Sequence, residues 1–166
     1  AHFPDKVFRE QIIAEFDKDG DSVLSVDEIS KAQFLNLHDM KTISSLEGIQ
    51  YLTNLQSLDV STTSVSDLSP VKNSSLKRLD CRSSKVRSVD LTRYPNLEAF
   101  VCDNTSINSL DVSKNEKLNT LFADSTSISN LDVTNNPNLE QLSCSNTGLM
   151  ELDVTHNPQL VTLDIG

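Results

Sequence analysis

Between Asp17 and Glu28 the chain reads Asp-Lys-Asp-Gly-Asp-Ser-Val-Leu-Ser-Val-Asp-Glu, with an oxygen-bearing side chain at nearly every second position. Asp17, Asp19, Asp21, the carbonyl of Val23, Ser25 and Glu28 fall on the first, third, fifth, seventh, ninth and twelfth places of an EF-hand loop. A hard cation such as calcium needs an oxygen set of this kind. Leu24 supplies the apolar residue that such a loop carries at its eighth place. The sixth place departs from the pattern: it holds Ser22 where glycine makes the sharp turn, while Gly20 sits two residues earlier, so the turn must be made under strain or differently. With no second loop to pair with, a calcium site here is expected to be weak, on the order of 10⁻⁴ to 10⁻³ M, and to lock a cap in place rather than to signal. A second reading of the same residues needs no metal. Ser25 and Glu28 have the spacing of a helix capping box, and aspartates favour turns in any case.

The other chemically capable side chains are scattered or repeat without a partner. His2, His38 and His156 are far apart in sequence, and no paired carboxylates converge on a pocket, so the chain reads as non-catalytic. A column of hydroxyls at Thr63, Ser84, Thr105, Thr126 and Thr147 suggests nucleophiles only until a base is sought; no His or Lys recurs beside it. Its expected role is to bond backbone groups of adjacent turns. Cys81, Cys102 and Cys144 show neither CxxC spacing nor a nearby His, and their odd number argues against a disulfide framework. They read as buried core.

These residues are positioned by a repeat. Leu55, Leu76, Leu97, Leu118, Leu139 and Leu160 recur every 21 residues, each followed three places later by Leu58, Leu79, Phe100, Leu121, Leu142 or Leu163. Two places further come Val60, Cys81, Cys102, Ala123, Cys144 and Ile165, giving an LxxLxL pattern in which alternate residues of a short strand point inward. A second apolar set, Val65/Leu68, Val86/Val89, Ile107/Leu110, Ile128/Leu131 and Leu149/Leu152, brings the chain back across the other side of the core. One such repeat cannot bury both faces, whereas stacked neighbours can. The predicted fold is therefore an α/β leucine-rich repeat solenoid, right-handed, with a parallel sheet on its concave face and a mostly irregular convex side. An irregular first turn around Leu35, Leu37, Ile43 and Leu46 makes about seven turns, the last truncated at Gly166, so that either more repeats or weak end-to-end pairing of otherwise monomeric chains is expected. Asn73, Asn115, Asn136 and Asn157, with Pro95, Pro137 and Pro158, mark the connections as tight turns.

Ahead of the repeats, Val7, Phe8, Ile12, Ile13 and Phe16 have helical spacing, and a second short helix is predicted after Ser25. Residues 1–31 thus form a helical EF-hand-like cap and residues 32–166 the repeats.

Composition narrows the partners. Asp and Glu outnumber Lys and Arg by 24 to 14, and a formal charge of −10 disfavours nucleic acid and anionic membranes. Apolar runs are a few residues long, too short to insert in a bilayer. Ala1 opens without the features of a signal peptide, so a leader is expected to have been removed or to lie outside this sequence.

On the solvent-facing strand positions the register places Arg78, Asp80 and Arg82 on one strand, Val101 and Asp103 on the next, and Phe122 and Asp124 on the third. Val101 and Phe122 are predicted to form a small apolar spot with a charged rim, as at an interface centre. A further column, Asp90, Asp111, Asp132 and Asp153, lies away from that face. Bare carboxylates stacked at strand spacing would repel, so these are expected to accept N–H bonds from the turns.

The segment LEGIQYLTNLQSLDVSTTSVSDLSPVKNSSL resembles the opening repeats of internalin-type bacterial surface proteins, and SLDVSKNEKLNTL and LDVTNNPNLEQLSCSNTGL resemble repeats of secreted leucine-rich proteins from gut bacteria. The resemblance covers nearly the whole chain, although the 21-residue period and the Thr/Ser column differ from the commoner 22-residue, Asn-bearing pattern. It implies an EF-hand-derived cap, an extracellular or cell-surface location, and an adhesion or recognition role toward a protein or glycan ligand. The alternative is a structural spacer that holds another domain away from the cell wall. A shared scaffold implies no particular ligand.

Overall fold

Every turn of the chain contributes one three-residue strand, because only the middle residue of the LxxLxL pattern and its two inward neighbours need a fixed place in the core. The computed structural model, which describes residues 2–166, has seven such strands: β1 (Phe34–Asn36), β2 (Ser57–Asp59), β3 (Arg78–Asp80), β4 (Ala99–Val101), β5 (Thr120–Phe122), β6 (Gln141–Ser143) and β7 (Thr162–Asp164). They form one parallel sheet in chain order. Leu35, Leu58, Leu79, Phe100, Leu121, Leu142 and Leu163 pair in register, so the 21-residue period becomes a straight column. The fold is the leucine-rich repeat solenoid predicted from the period.

From Leu35 to Leu142 that column is at most 2% exposed, and Leu55, Leu76, Leu97, Leu118 and Leu139 beside it are fully buried. Each buried Leu of this kind contributes about 1.5–3 kcal/mol. Val65, Val86, Ile107 and Ile128 close the convex side, with Val89 and Leu110 only partly buried. A third apolar column, Leu91, Val112 and Val133, completes the core; the sequence reading noted the aspartates preceding it but not its burial. The convex side is irregular apart from two short 3₁₀ segments, Ile49–Tyr51 and Leu91–Arg93. All three cysteines are free and buried.

Two polar columns run along the stack, and the one that joins neighbouring turns is the asparagines, not the hydroxyls expected to do so. The hydroxyls of Thr63, Ser84, Thr105, Thr126 and Thr147 donate to Val60, Cys81, Cys102, Ala123 and Cys144 carbonyls within their own turns, at 2.6–2.7 Å. From this inward position each hydroxyl donates only to the carbonyl three residues back. The bridging falls instead to the asparagines. Asn115 Nδ2 donates to the Leu91 and Tyr94 carbonyls at 3.1 and 2.8 Å, Asn136 Nδ2 to Val112 and Asn115 at 3.0 and 2.9 Å, and Asn157 Nδ2 to Val133 and Asn136 at 2.9 Å each. Asn73 donates likewise to the Leu52 carbonyl. The Oδ1 atoms of all four make no hydrogen bond among the described residues, which reduces the net gain of this ladder. Tyr94 replaces asparagine in one turn, and its buried hydroxyl reaches the Val71 carbonyl at 3.0 Å.

After each of β1–β6 the backbone turns through a left-handed residue: Asp39, Thr62, Ser83, Asn104, Ser125 and Asn146, with φ between 54° and 61°. Only two of the six are asparagine, and the β-branched Thr62 is poorly suited to this region. Their N–H groups continue the inter-turn ladder, as in Thr62 N to Arg82 O at 2.9 Å and Asn104 N to Asp124 O at 2.8 Å.

Two helices, α1 (Lys6–Phe16) and α2 (Val26–Lys31), lie ahead of the sheet and bury Phe8, Ile12 and Phe16. Asp5 caps α1 through Val7 N and Phe8 N at 3.1 Å, and its other oxygen accepts Ser44 N at 3.0 Å and Ser45 N at 3.3 Å, stapling the helix to the first turn. Burial alone would raise the pKa of Asp5, but the donors Ser44, Phe8, Ser45 and Val7 hold it below the usual range. The Phe3 ring packs edge-on to Phe8 and lies so close to Gly48, itself at φ 106°, that a Cβ there would collide with it.

Candidate functional site

Three columns face outward from the sheet. Strand alternation sends the first and third residues of each strand to solvent, but short strands packed about 4.8 Å apart shade one another. Val101, expected to be half of an exposed apolar spot, is only 1% exposed, because Asp80 and Phe122 pair with it from either side in the same column. Phe122 is half-buried and remains the apolar feature of the central strands. The more exposed aromatic is Phe34 on β1, at 64%.

On β3 the charges are organised around one carboxylate. Asp80 is 1% exposed and accepts from Arg82 Nε at 3.0 and 3.1 Å, Arg82 Nη2 at 2.5 Å and Arg78 Nη2 at 3.2 Å. Both arginines stay exposed but are held in place, and this pairing raises the Arg82 pKa further. Asp103 and Asp124 follow the next two strands, β4 and β5. Asp103 Oδ1 accepts Asp124 N at 2.9 Å; Asp124 Oδ1 accepts Ser143 Oγ at 2.6 Å and Ser145 N at 2.7 Å. Burial raises the Asp103 pKa, with Asp124 adding repulsion that Arg82 only partly offsets. Toward the N-terminal end, Asp59 Oδ1 accepts Ser61 N at 2.8 Å and Ser61 Oγ, which in turn meets His38 Nδ1 at 2.8 Å. Here the hydroxyl proton is committed to the carboxylate, so this chain of groups orients His38 rather than creating a nucleophile.

In the acidic loop the carboxylates of Asp17, Asp19 and Asp21 come within 4.8 Å of one another. They also shape the loop: Asp17 accepts Gly20 N at 2.7 Å and Ser22 N at 2.8 Å, Asp19 accepts Asp21 N at 3.1 Å, and Asp21 accepts Val23 N at 2.7 Å. The glycine-free sixth place is accommodated by strain, since Ser22 adopts φ 64° beside Gly20 at 75°. The Asp21 N–H pulls the Asp19 pKa down, but loss of water and the negative charges of Asp21, Glu28 and Asp17 leave it raised. Val23 is exposed, and Ser25 and Glu28 close on each other. The capping box between them is complete, with Ser25 N to Glu28 Oε2 at 2.9 Å and Glu28 N to Ser25 Oγ at 3.3 Å. Glu28 Oε1 accepts Lys18 N at 2.6 Å, and with the Ser25 bonds this lowers its pKa to about 2.

The convex aspartates behave as their spacing predicts. Asp111, Asp132 and Asp153 accept Ser113 N, Thr134 N and Thr155 N at 2.8–3.0 Å, and Asp90 accepts Thr92 N at 3.2 Å. Hydrogen bonds from Ser113, Thr134 and Thr155 keep the first three below the usual carboxylate range. They are turn-formers. Sequence reasoning missed Asp5, whose single caps-and-staples role is visible only once Ser44 is folded back onto it. No helix among the described residues is long and apolar enough to cross a membrane.

No family model matches the sequence, and no curated protein matches it. Solved structures do. An internalin of Listeria monocytogenes is 21% identical, with a TM-score of 0.75 over 97% of this chain and 56% of its own. The functional domain of InlJ from the same organism, which includes a cysteine ladder, is 27% identical with a TM-score of 0.53, over 86% of this chain and 41% of its own. A leucine-rich repeat protein of Leptospira interrogans is 17% identical with a TM-score of 0.72, over 87% and 40%. This chain spans 40–56% of the length of these three structures, and the likeness to them establishes a leucine-rich repeat fold.

Proposed function

We propose that this chain is a non-catalytic recognition module that binds a protein or glycan ligand through the concave face of its sheet, outside the cell or on its surface. The observation that carries this reading is a preorganised set of unlike side chains on a rigid backbone: Arg78 and Arg82 fixed by buried Asp80, then Asp103 just after β4, and Phe122 and Asp124 at and just after the end of β5. Strands locked by an inter-turn ladder lose little freedom when a partner docks. The likeness to internalin folds supports the extracellular setting.

The test is a screen of the intact chain against a displayed random-peptide library and a glycan array, repeated with Thr120→Arg and Gln141→Trp, two outward-facing positions on neighbouring strands. Binders lost in both variants support the face as the site. Binders retained by both overturn it, and a chain that retains none in either screen is better described as a spacer.

We further propose that Asp17, Asp19 and Asp21 hold a calcium ion that locks the cap, with Glu28 supporting the loop through Lys18. Three converging carboxylates fit a hard cation in chemistry, and the ion would relieve their mutual repulsion. Calorimetric titration of chelator-treated protein and melting curves, native against Asp17→Ala, decide it. Saturable binding and a raised Tm, both lost in the variant, support the site; no heat and no shift leave a metal-free capping turn.

A further inference from the structure

The concave face carries its charges in sequence along the solenoid axis, not at random. Strand β3 presents two guanidinium groups around one buried carboxylate, an excess of one positive charge. One and two strands farther, Asp103 and Asp124 stand with no Lys, Arg or His in an ion pair with either among the described residues. Arg82 could have turned toward Asp103, but its Nε and Nη2 are both committed to Asp80. Each aspartate uses only Oδ1 in hydrogen bonds, and Oδ2 of both remains without one among the described residues. Half-buried Phe122 ends β5, two residues before Asp124.

We propose that the partner is a protein segment of mixed charge, which sets an acidic group on Arg78 and Arg82 and, about 10 Å along the axis, a basic group on Asp103 and Asp124 with an apolar side chain against Phe122. This rests on the concave-face reading above and names its ligand chemistry. A polyanion would meet the arginines but be repelled by the two aspartates beyond them. An uncharged sugar would leave the half-buried, uncompensated Asp103 as it stands, whereas a guanidinium or ammonium from the partner relieves it.

Peptides selected from a displayed random linear library on the native chain provide the probe, with a heparin-derived oligosaccharide as the polyanion control. The expected result is a selected motif holding one acidic and one basic residue around an apolar one. Its affinity falls about tenfold or more in the double variant Asp103→Asn/Asp124→Asn, whose amides can still accept the same N–H bonds, and falls similarly in Arg78→Gln/Arg82→Gln. Replacing the basic residue of the peptide by a neutral one should cost nothing further in the Asp103→Asn/Asp124→Asn background, which separates a direct charge contact from a fold defect. Peptides that bind the face, as judged by loss in Thr120→Arg, yet lack a basic residue or ignore the aspartate variants overturn the charge assignment while leaving the face as the site. Binding that is indifferent to Thr120→Arg, or a library that yields no face-dependent binder, overturns both. Preferential binding of the heparin oligosaccharide overturns the assignment in favour of a polyanion.

Discussion

The same repeat meets opposite fates at the two ends of the sheet. At the N-terminal end, Leu35 on β1 is 2% exposed because α1 lays Phe8, Ile12 and Phe16 over the first turn. On β7 the equivalent Leu163 is 42% exposed, with Val161 at 84% and Ile165 at 59%. Leucines in the same register differ here in what packs over them. Burial in a solenoid is thus a property of the neighbour, and the stability of a turn belongs to its interfaces more than to its own sequence.

Several substitutions would break or sharpen that contrast. The largest effect is expected at the covered end: Phe8→Ala removes a fully buried ring and should cost about 3–5 kcal/mol in chemical denaturation. A loss below about 1 kcal/mol there would mean that the helices rest on the sheet without stabilising it. In the middle of the stack, Asn136→Ala deletes two N–H donors to the preceding turn and leaves the Val112 and Asn115 carbonyls with only their backbone partners, Asn115 N and Leu118 N. A net loss of about 1–2 kcal/mol is expected, moderated by removal of an unpartnered Oδ1. Thr62→Asn should move the other way, raising stability by about 0.5–1 kcal/mol, because asparagine tolerates the left-handed backbone that threonine resists. Leu163→Ala, the counterpart to the cap change, should cost under about 1 kcal/mol in the same assay. The smallest effect on global stability is one of pH. With its pKa lowered from 4.5 to about 2, Glu28 contributes stability that is full above 4.5 and lost as pH falls toward 2. The NMR signals of α2 should therefore weaken over that window ahead of those of β3–β6, and Glu28→Gln should abolish the difference.

The contrast also separates what the sequence reveals from what it conceals. A strict period is legible because each inward Leu must occupy the same place in every turn; β1–β7, their register and the buried thiols follow from it. The identity of the bridging polar column is not. Hydroxyl and amide recur with equal regularity, and only their place in the folded turn decides: threonine ends at its own turn, while asparagine spans to two carbonyls of the one before. Alternation likewise calls Val101 exposed, since it describes one strand and ignores the neighbours that cover it. The left-handed column was hidden for a different reason, as serine and threonine give no advance sign of a positive φ. In the acidic loop the pattern of three aspartates was legible, but Ser25 and Glu28 satisfied two motifs at once and the spacing alone could not rank them.

The inward positions of Cys81, Cys102 and Cys144 give the chain an internal clock of its own opening. Burial pushes all three thiols up in pKa, Cys144 to about 12, so that almost no thiolate exists in the folded state and alkylating reagents find nothing to attack. A thiol is trapped only while its turn is peeled away, so the order of labelling reads the order of unzipping. Cys144, one strand from exposed β7, should be caught first, with Cys102 and Cys81 following as the stack opens toward the helices.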